Sequence, residues 1–109
     1  MSLMPKEITV GDLKRMQDGG ENFMLLDVRE DDELAKASLP WAKHVPMGQV
    51  PERLAELPKD RPIVVMCHGG SRSNRVAQYL RENGYGDVAN LTGGIDAWSE
   101  KIDPSVPVY

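Results

Sequence analysis

The segment of this chain best suited to covalent chemistry is Cys67-His68-Gly69-Gly70-Ser71-Arg72-Ser73. It follows the apolar run Pro62-Ile63-Val64-Val65-Met66 and precedes a stretch with Val76, Ala77 and Leu80 at helical spacing. A strand that runs through such a loop into a helix places a cysteine beside inward-turned amides. The paired glycines tolerate the positive φ values that an amide cradle requires. The helix expected from about Ser71 adds free N–H groups and the positive end of its dipole. Arg72 adds a full positive charge. The expected product is a stabilised Cys67 thiolate.

An ordinary thiol with a pKa near 8.5 is only about 3% ionised at pH 7. Lowering that pKa by about two units takes roughly 2.7 kcal/mol of preference for the anion. A helix N-terminus supplies about 0.5–2 kcal/mol, and each charge-assisted amide bond about 1.5–3 before desolvation. The loop has enough donors to reach that sum. A lone cysteine at a strand end is more often a small core residue, but the Gly-Gly pair, the arginine and the strand-to-helix position reverse that reading. His68 is read either as a proton donor or anion ligand, or as an exposed loop residue. Arg75, one turn from the loop, and Arg81 are read as helix charges, with Arg75 the better candidate for the site.

The elements that must hold this loop can be read from the rest of the chain. Its 109 residues, 40% hydrophobic with net charge -4, suit a single domain over residues 1–109. One cysteine excludes an internal disulfide framework, a CxxC pair and a multi-cysteine zinc site. No apolar run approaches the roughly 20 residues that cross a bilayer. Met1 to Glu7 lacks the apolar stretch of a secretory signal, so the expected compartment is the cytoplasm. An acidic chain is a poor nucleic-acid binder, yet Arg61 to Arg81 holds four arginines and no Asp or Glu. That stretch is where an anion is expected.

Thr9 and Asp12 form a capping-box pattern before a helix with Leu13 and Met16 on its apolar face, ended by Gly19-Gly20. Phe23 to Val28 reads as a strand buried on both sides. Glu30 to Lys36 reads as a short polar helix broken before Pro40, and His44-Val45-Pro46 as a short strand. Val50 to Leu57 reads as a helix ended by Pro58. A final strand over Val88 to Leu91 and a helix over Ile95 to Lys101 follow, with Gly93-Gly94 between them. Strands alternating with helices predict an α/β layer with a mainly parallel sheet. In such sheets ligands sit at the carboxyl ends of strands, where Cys67 falls.

Three marks in order make the chain resemble the rhodanese superfamily of sulfurtransferases: Leu25-Leu26-Asp27-Val28-Arg29 before an acidic segment, the Cys67–Ser73 loop, and Leu91-Thr92-Gly93-Gly94-Ile95-Asp96-Ala97-Trp98. The resemblance covers about Ile8 to Tyr109. It implies a three-layer sandwich with a five-stranded, mainly parallel sheet flanked by helices. It also implies transfer of sulfane sulfur from thiosulfate or a related small anionic donor, through a Cys67 persulfide, to a thiophilic acceptor. That acceptor would be a thiol, cyanide or a sulfur-carrier protein. Backbone amides of His68, Gly69, Gly70, Ser71, Arg72 and Ser73, with the Arg72 side chain, would bind the donor. No metal, organic cofactor, nucleic acid or membrane is implied.

Four residues separate Cys67 from Arg72, as in sulfur-transferring members. Related phosphatases and arsenate reductases have one more, which widens the cradle, so a phosphatase is a poor second reading. A carrier or non-catalytic docking module is the stronger alternative. Ala37-Ser38-Leu39-Pro40-Trp41-Ala42 departs from the family pattern by lacking its glycines and histidine, which leaves Trp41 either over the sheet or at the rim of the site. His68 stands where arginine is frequent, an exchange expected to weaken anionic donor binding or make it more sensitive to pH near neutrality. Asp27 and Arg29 are read as an ion pair fixing a turn, and Trp98 as core or a lid. Deleting the Arg72 charge is expected to raise the Cys67 pKa. The end of the chain, Asp103 to Tyr109, resembles rhodanese modules attached to adenylating enzymes.

Overall fold

A computed structural model describes residues 3–109, so the first two positions of the Met1–Glu7 segment lie outside the described residues. Five parallel strands form one sheet in the order β1-β5-β4-β2-β3. They are β1 (Glu7–Ile8), β2 (Met24–Asp27), β3 (Lys43–His44), β4 (Ile63–Met66) and β5 (Val88–Leu91). The helices are α1 (Val10–Asp18), α2 (Asp31–Lys36), α3 (Ser71–Glu82) and α4 (Gly94–Lys101). Strand β4 lies at the centre and delivers Cys67 from its carboxyl end.

The alternation of side chains along each strand divides the core into two. Leu25, Val64, Met66, Ala89 and Leu91 face α1 and α4, where Leu13, Ile95 and Trp98 complete one cluster. Leu26, Ile63, Val65 and Val88 face α3, where Val76, Ala77 and Leu80 complete the other, and Cys67 belongs to it. All four residues of β4 and of β5 are buried. The unbroken apolar run of β4 is the mark of a strand covered on two faces, and β5 departs from it only at Asn90.

Local signals account for most element ends. The Thr9 hydroxyl accepts from the Asp12 N–H at 3.1 Å and the Asp12 carboxylate accepts from the Thr9 N–H at 2.9 Å, the predicted capping box. Helix α2 begins after Glu30, whose N–H donates to the Glu33 carboxylate at 2.9 Å. Strand β1, absent from the sequence reading, is two residues long and too short to show a period.

Two expectations are corrected. The Val50–Leu57 segment is not an α-helix: Pro51–Glu56 is 3₁₀, with Arg53 at φ -114° and ψ 19°, and a further 3₁₀ turn, Met47–Gln49, precedes it. Pro51 contributes no N–H, and a run hemmed by Pro46 and Pro58 is too short to propagate i→i+4 bonds. The third strand covers Lys43–His44 rather than His44–Pro46. Val45 still donates to Asp27 O at 2.9 Å and Met47 to Val28 O at 3.0 Å, so Pro46, between these two donors, costs the edge strand no bond. Among the described residues no helix is long and apolar enough to cross a membrane.

Candidate active site

Cys67 directly follows β4 with 2% of its surface exposed, and the loop closes around its sulfur. The Gly70 N–H donates to Cys67 Sγ at 3.1 Å, and the Ser73 hydroxyl lies 3.2 Å from the same atom. Burial by itself pushes the thiol pKa up. Hydrogen bonds from the Ser73 hydroxyl and from the backbone of Ser73, Gly70 and Arg72 outweigh it, and the net shift is downward. The thiolate is favoured by directed donors in spite of its burial.

Only one of the paired glycines supplies the unusual backbone. Gly70 has φ +117°, whereas Gly69 is not among the positive-φ glycines, and a Cβ built on it meets nothing within 4 Å. The expectation that both glycines are conformationally required is corrected: Gly70 turns the chain into α3, and Gly69 lies exposed at the loop's outer edge. Ser71 opens α3, and its side chain faces solvent.

The far side of the loop is held by the start of α4. Ile95 N–H donates to Cys67 O at 3.0 Å and Asp96 N–H to His68 O at 3.2 Å. These bonds direct the two carbonyls toward α4. A helix N-terminus thus stabilises the loop by satisfying the carbonyls that would otherwise oppose a thiolate.

The side chains predicted to serve the site are placed as follows. Arg72 does not point its charge freely at sulfur. Its guanidinium forks onto Glu33 of α2, Nη1 to Oε2 at 2.7 Å and Nη2 to Oε1 at 2.8 Å. This pair joins α3 to α2, and Glu33 offsets the charge that Arg72→Ala would remove. That substitution is now expected to act mainly by freeing Glu33. His68 is half-buried, stacked on Tyr109 with ring centroids 4.0 Å apart and planes 11° apart. Its Nε2 lies 3.1 Å from Asp96 Oδ1. A carboxylate only accepts, so this nitrogen carries the proton.

Asp27 and Arg29 form a buried bidentate pair: Nη2 to Oδ2 at 2.7 Å and Nε to Oδ1 at 3.0 Å. The pair closes the turn after β2, as expected. Arg29 Nη1 also donates to the Tyr109 hydroxyl at 3.0 Å, and that hydroxyl donates to Glu33 Oε1 at 2.9 Å. Arg75 is exposed on α3 beside Met47, Val50, Pro51 and Tyr79. Arg81 instead holds backbone, donating to Val88 O at 3.2 Å.

Trp41 packs over the sheet's other face, against Phe23 at 6.2 Å and Trp98 at 6.0 Å between ring centroids. Trp98 is core there, across the sheet from the Cys67 cluster. The altered Ala37–Ala42 segment with Trp41 therefore does not rim the thiol.

Sequence reasoning missed Glu33, Tyr109, Asp96, Asn90 and Glu7. Asn90 carried a usable signal, since a polar residue at an inward position of Val88-Ala89-Asn90-Leu91 must find partners. The others come from distant segments with no local mark.

Arg72 bonding, aided by the Tyr109 hydroxyl, holds the Glu33 carboxyl down to about 2 from an ordinary 4.5. A carboxyl depressed on folding stabilises the native state above its unfolded pKa, and that stability is lost as pH falls toward the folded value. Unfolding free energy should therefore decline between about pH 4.5 and 2, and Glu33→Gln should flatten that decline. Urea titrations of both proteins across this window measure it; parallel pH profiles would remove Glu33 from the role.

Comparison with known proteins agrees with the fold. Residues 9–101 match the Rhodanese-like domain family. A protein of Allochromatium vinosum (strain ATCC 17899) named Sulfurtransferase is 41% identical over 103 residues, covering 94% of this chain and 96% of its own. A Zea mays protein named Adenylyltransferase and sulfurtransferase MOCS3-2 is 34% identical over 94% of this chain, which spans 23% of that larger protein. The crystal structure of a rhodanese-like domain protein from Staphylococcus aureus superposes with a TM-score of 0.83 at 34% identity, covering 96% of this chain and 99% of that one.

Proposed function

This chain belongs to the rhodanese-like family, and from that premise we propose that it is a sulfurtransferase working through a Cys67 persulfide. The observation that carries the reading is the convergence of the Gly70 N–H and the Ser73 hydroxyl on Cys67 Sγ at the start of α3. The thiolate attacks the outer sulfur of a small anionic donor of the thiosulfate type. An Sγ–S bond forms as the donor's S–S bond breaks, and sulfite leaves with the bonding pair. The amides of Gly70, Arg72 and Ser73 face the negative charge that passes through the site.

No second cysteine is present to resolve the persulfide internally. An external nucleophile completes the cycle: a thiol, cyanide, or a thiol of a sulfur-carrier protein. It takes the outer sulfur and returns the Cys67 thiolate. The likeness to a protein named for both adenylyl and sulfur transfer favours a carrier protein as the cellular acceptor.

Incubation with thiosulfate should add the mass of one sulfur atom to the intact protein, and Cys67→Ser should add none. Thiosulfate:cyanide turnover should fall to background in the same variant. Unmodified protein across a panel of donors, with a thiol that still reacts with alkylating agents, would overturn the reading. A carrier role shares the first half-reaction, and the 2% exposure of Cys67 favours slow release to small acceptors. Stoichiometric loading without cyanide turnover would assign the chain to carriage.

A further inference from the structure

The Ser73 hydroxyl has two claimants. It lies 3.2 Å from Cys67 Sγ and 2.5 Å from Asn90 Oδ1, and it carries one proton. Ser73 is fully buried and Asn90 is 4% exposed, so water does not satisfy either group. Register explains the meeting: Asn90 pairs with Val65 of β4 on one side and Glu7 of β1 on the other, and lies two residues from Val88 on the face toward α3.

The orientation of the Asn90 amide is fixed by its other partners. Asn90 Nδ2 donates to Glu7 Oε1 at 3.0 Å and to Gly70 O at 3.1 Å. Both are pure acceptors, and a flipped amide would set its oxygen against each of them. Asn90 therefore presents an oxygen, never an N–H, to Ser73. Sulfur and amide oxygen compete for the same proton.

We propose that Asn90 is a positioning residue that controls the charge on Cys67 through the Ser73 hydroxyl, with Glu7 fixing the amide that does so. When Sγ is a thiolate, the charge-assisted bond wins and the hydroxyl turns to sulfur. When Sγ is neutral, as a thiol or as the inner atom of a persulfide, the hydroxyl turns to Asn90. Asn90 thus stabilises the uncharged states of Sγ and moderates the thiolate. The shared proton lets one hydroxyl serve both halves of a sulfur-transfer cycle. The charged groups around it are Glu7 on β1, Arg72 locked to Glu33 of α2, and His68 with Asp96 on the α4 side.

The inference rests on Cys67 being the nucleophile, but its test needs no sulfur donor. Thiolate absorbance titrations should show that Ser73→Ala lowers the Cys67 ionisation constant about tenfold, one pKa unit. Asn90→Val removes the competing acceptor and should raise that constant about threefold, half a unit. In Ser73→Ala the Asn90→Val change should have no further effect. The paired backgrounds also subtract the loss of the Gly70 O contact. A downward change in Asn90→Val, or the same change with and without the Ser73 hydroxyl, would overturn the proposal.

Should Asn90→Val fail to fold, the intact protein supplies the readout. The Asn90 side-chain amide resonances should move through the Cys67 titration and stay still in Ser73→Ala. Resonances that do not move, or that move alike in both proteins, would also overturn it. Failure to load sulfur, with this coupling intact, would count against the persulfide reading alone.

Discussion

Replacing Gly94 with alanine should unfold the site and much of the domain with it. A Cβ at this position would collide with His68 O and lie 2.5 Å from Cys67 O and 2.7 Å from the His68 carbonyl carbon. All three are backbone atoms of the Cys67 loop and cannot rotate aside. The residue also has φ +57°, a region in which side chains are strained. Left-handed strain of about 1–3 kcal/mol and overpacking of about 1–3 kcal/mol act together here. Relief would require α4 to back away, breaking the bonds from Ile95 and Asp96 that hold the Cys67 and His68 carbonyls.

Gly94→Ala should thus show a fall in the urea midpoint together with loss of sulfur loading by mass. Gly69→Ala is the control, since it adds its methyl to open space and should stay within about 0.5 kcal/mol of the parent. A Gly94→Ala protein of parental stability that still loads sulfur would show that α4 does not position the loop.

The second large effect is expected at Arg29. Its side chain is 0% exposed and its guanidinium grips Asp27, itself 2% exposed. Arg29→Met would leave a buried carboxylate without its partner, a loss of about 3–5 kcal/mol. It would also remove the donor to the Tyr109 hydroxyl, loosening the strap that stacks on His68. The double variant Asp27→Leu/Arg29→Met removes both charges and should recover much of the loss. Urea unfolding of the single and double variants closes the cycle. If Arg29→Met cost under about 1 kcal/mol, the pair would be a surface-like ornament of the turn.

The sheet's central strands were legible because each is a mainly apolar stretch of strand length, with a single polar residue in β2 and in β5. The capping box at Thr9 and Asp12 was legible because both partners lie within one turn of chain. The Val50–Leu57 segment misled because its leucine spacing fits a helix while its prolines deny the hydrogen bonds. The loop's general chemistry could be read, but not which glycine turned. Gly69 and Gly70 are identical in sequence, and only their neighbours in space give them different φ.

The residue types alone determined a lone cysteine between a buried strand and a helix, with four residues between it and an arginine. They also determined an alternation of strands and helices that lays such a loop at a sheet's carboxyl edge. Tertiary structure alone decided what surrounds the sulfur. Glu33 takes Arg72 from 39 residues away, and Tyr109 reaches Glu33 across 76. Glu7 reaches Asn90 across 83 residues, which in turn meets Ser73. Hydrogen-bond partners are selected by distance in space, and a chain carries no local record of which remote group will arrive. The thiol is a property of the sequence, but the donors that bias its charge are set by the fold.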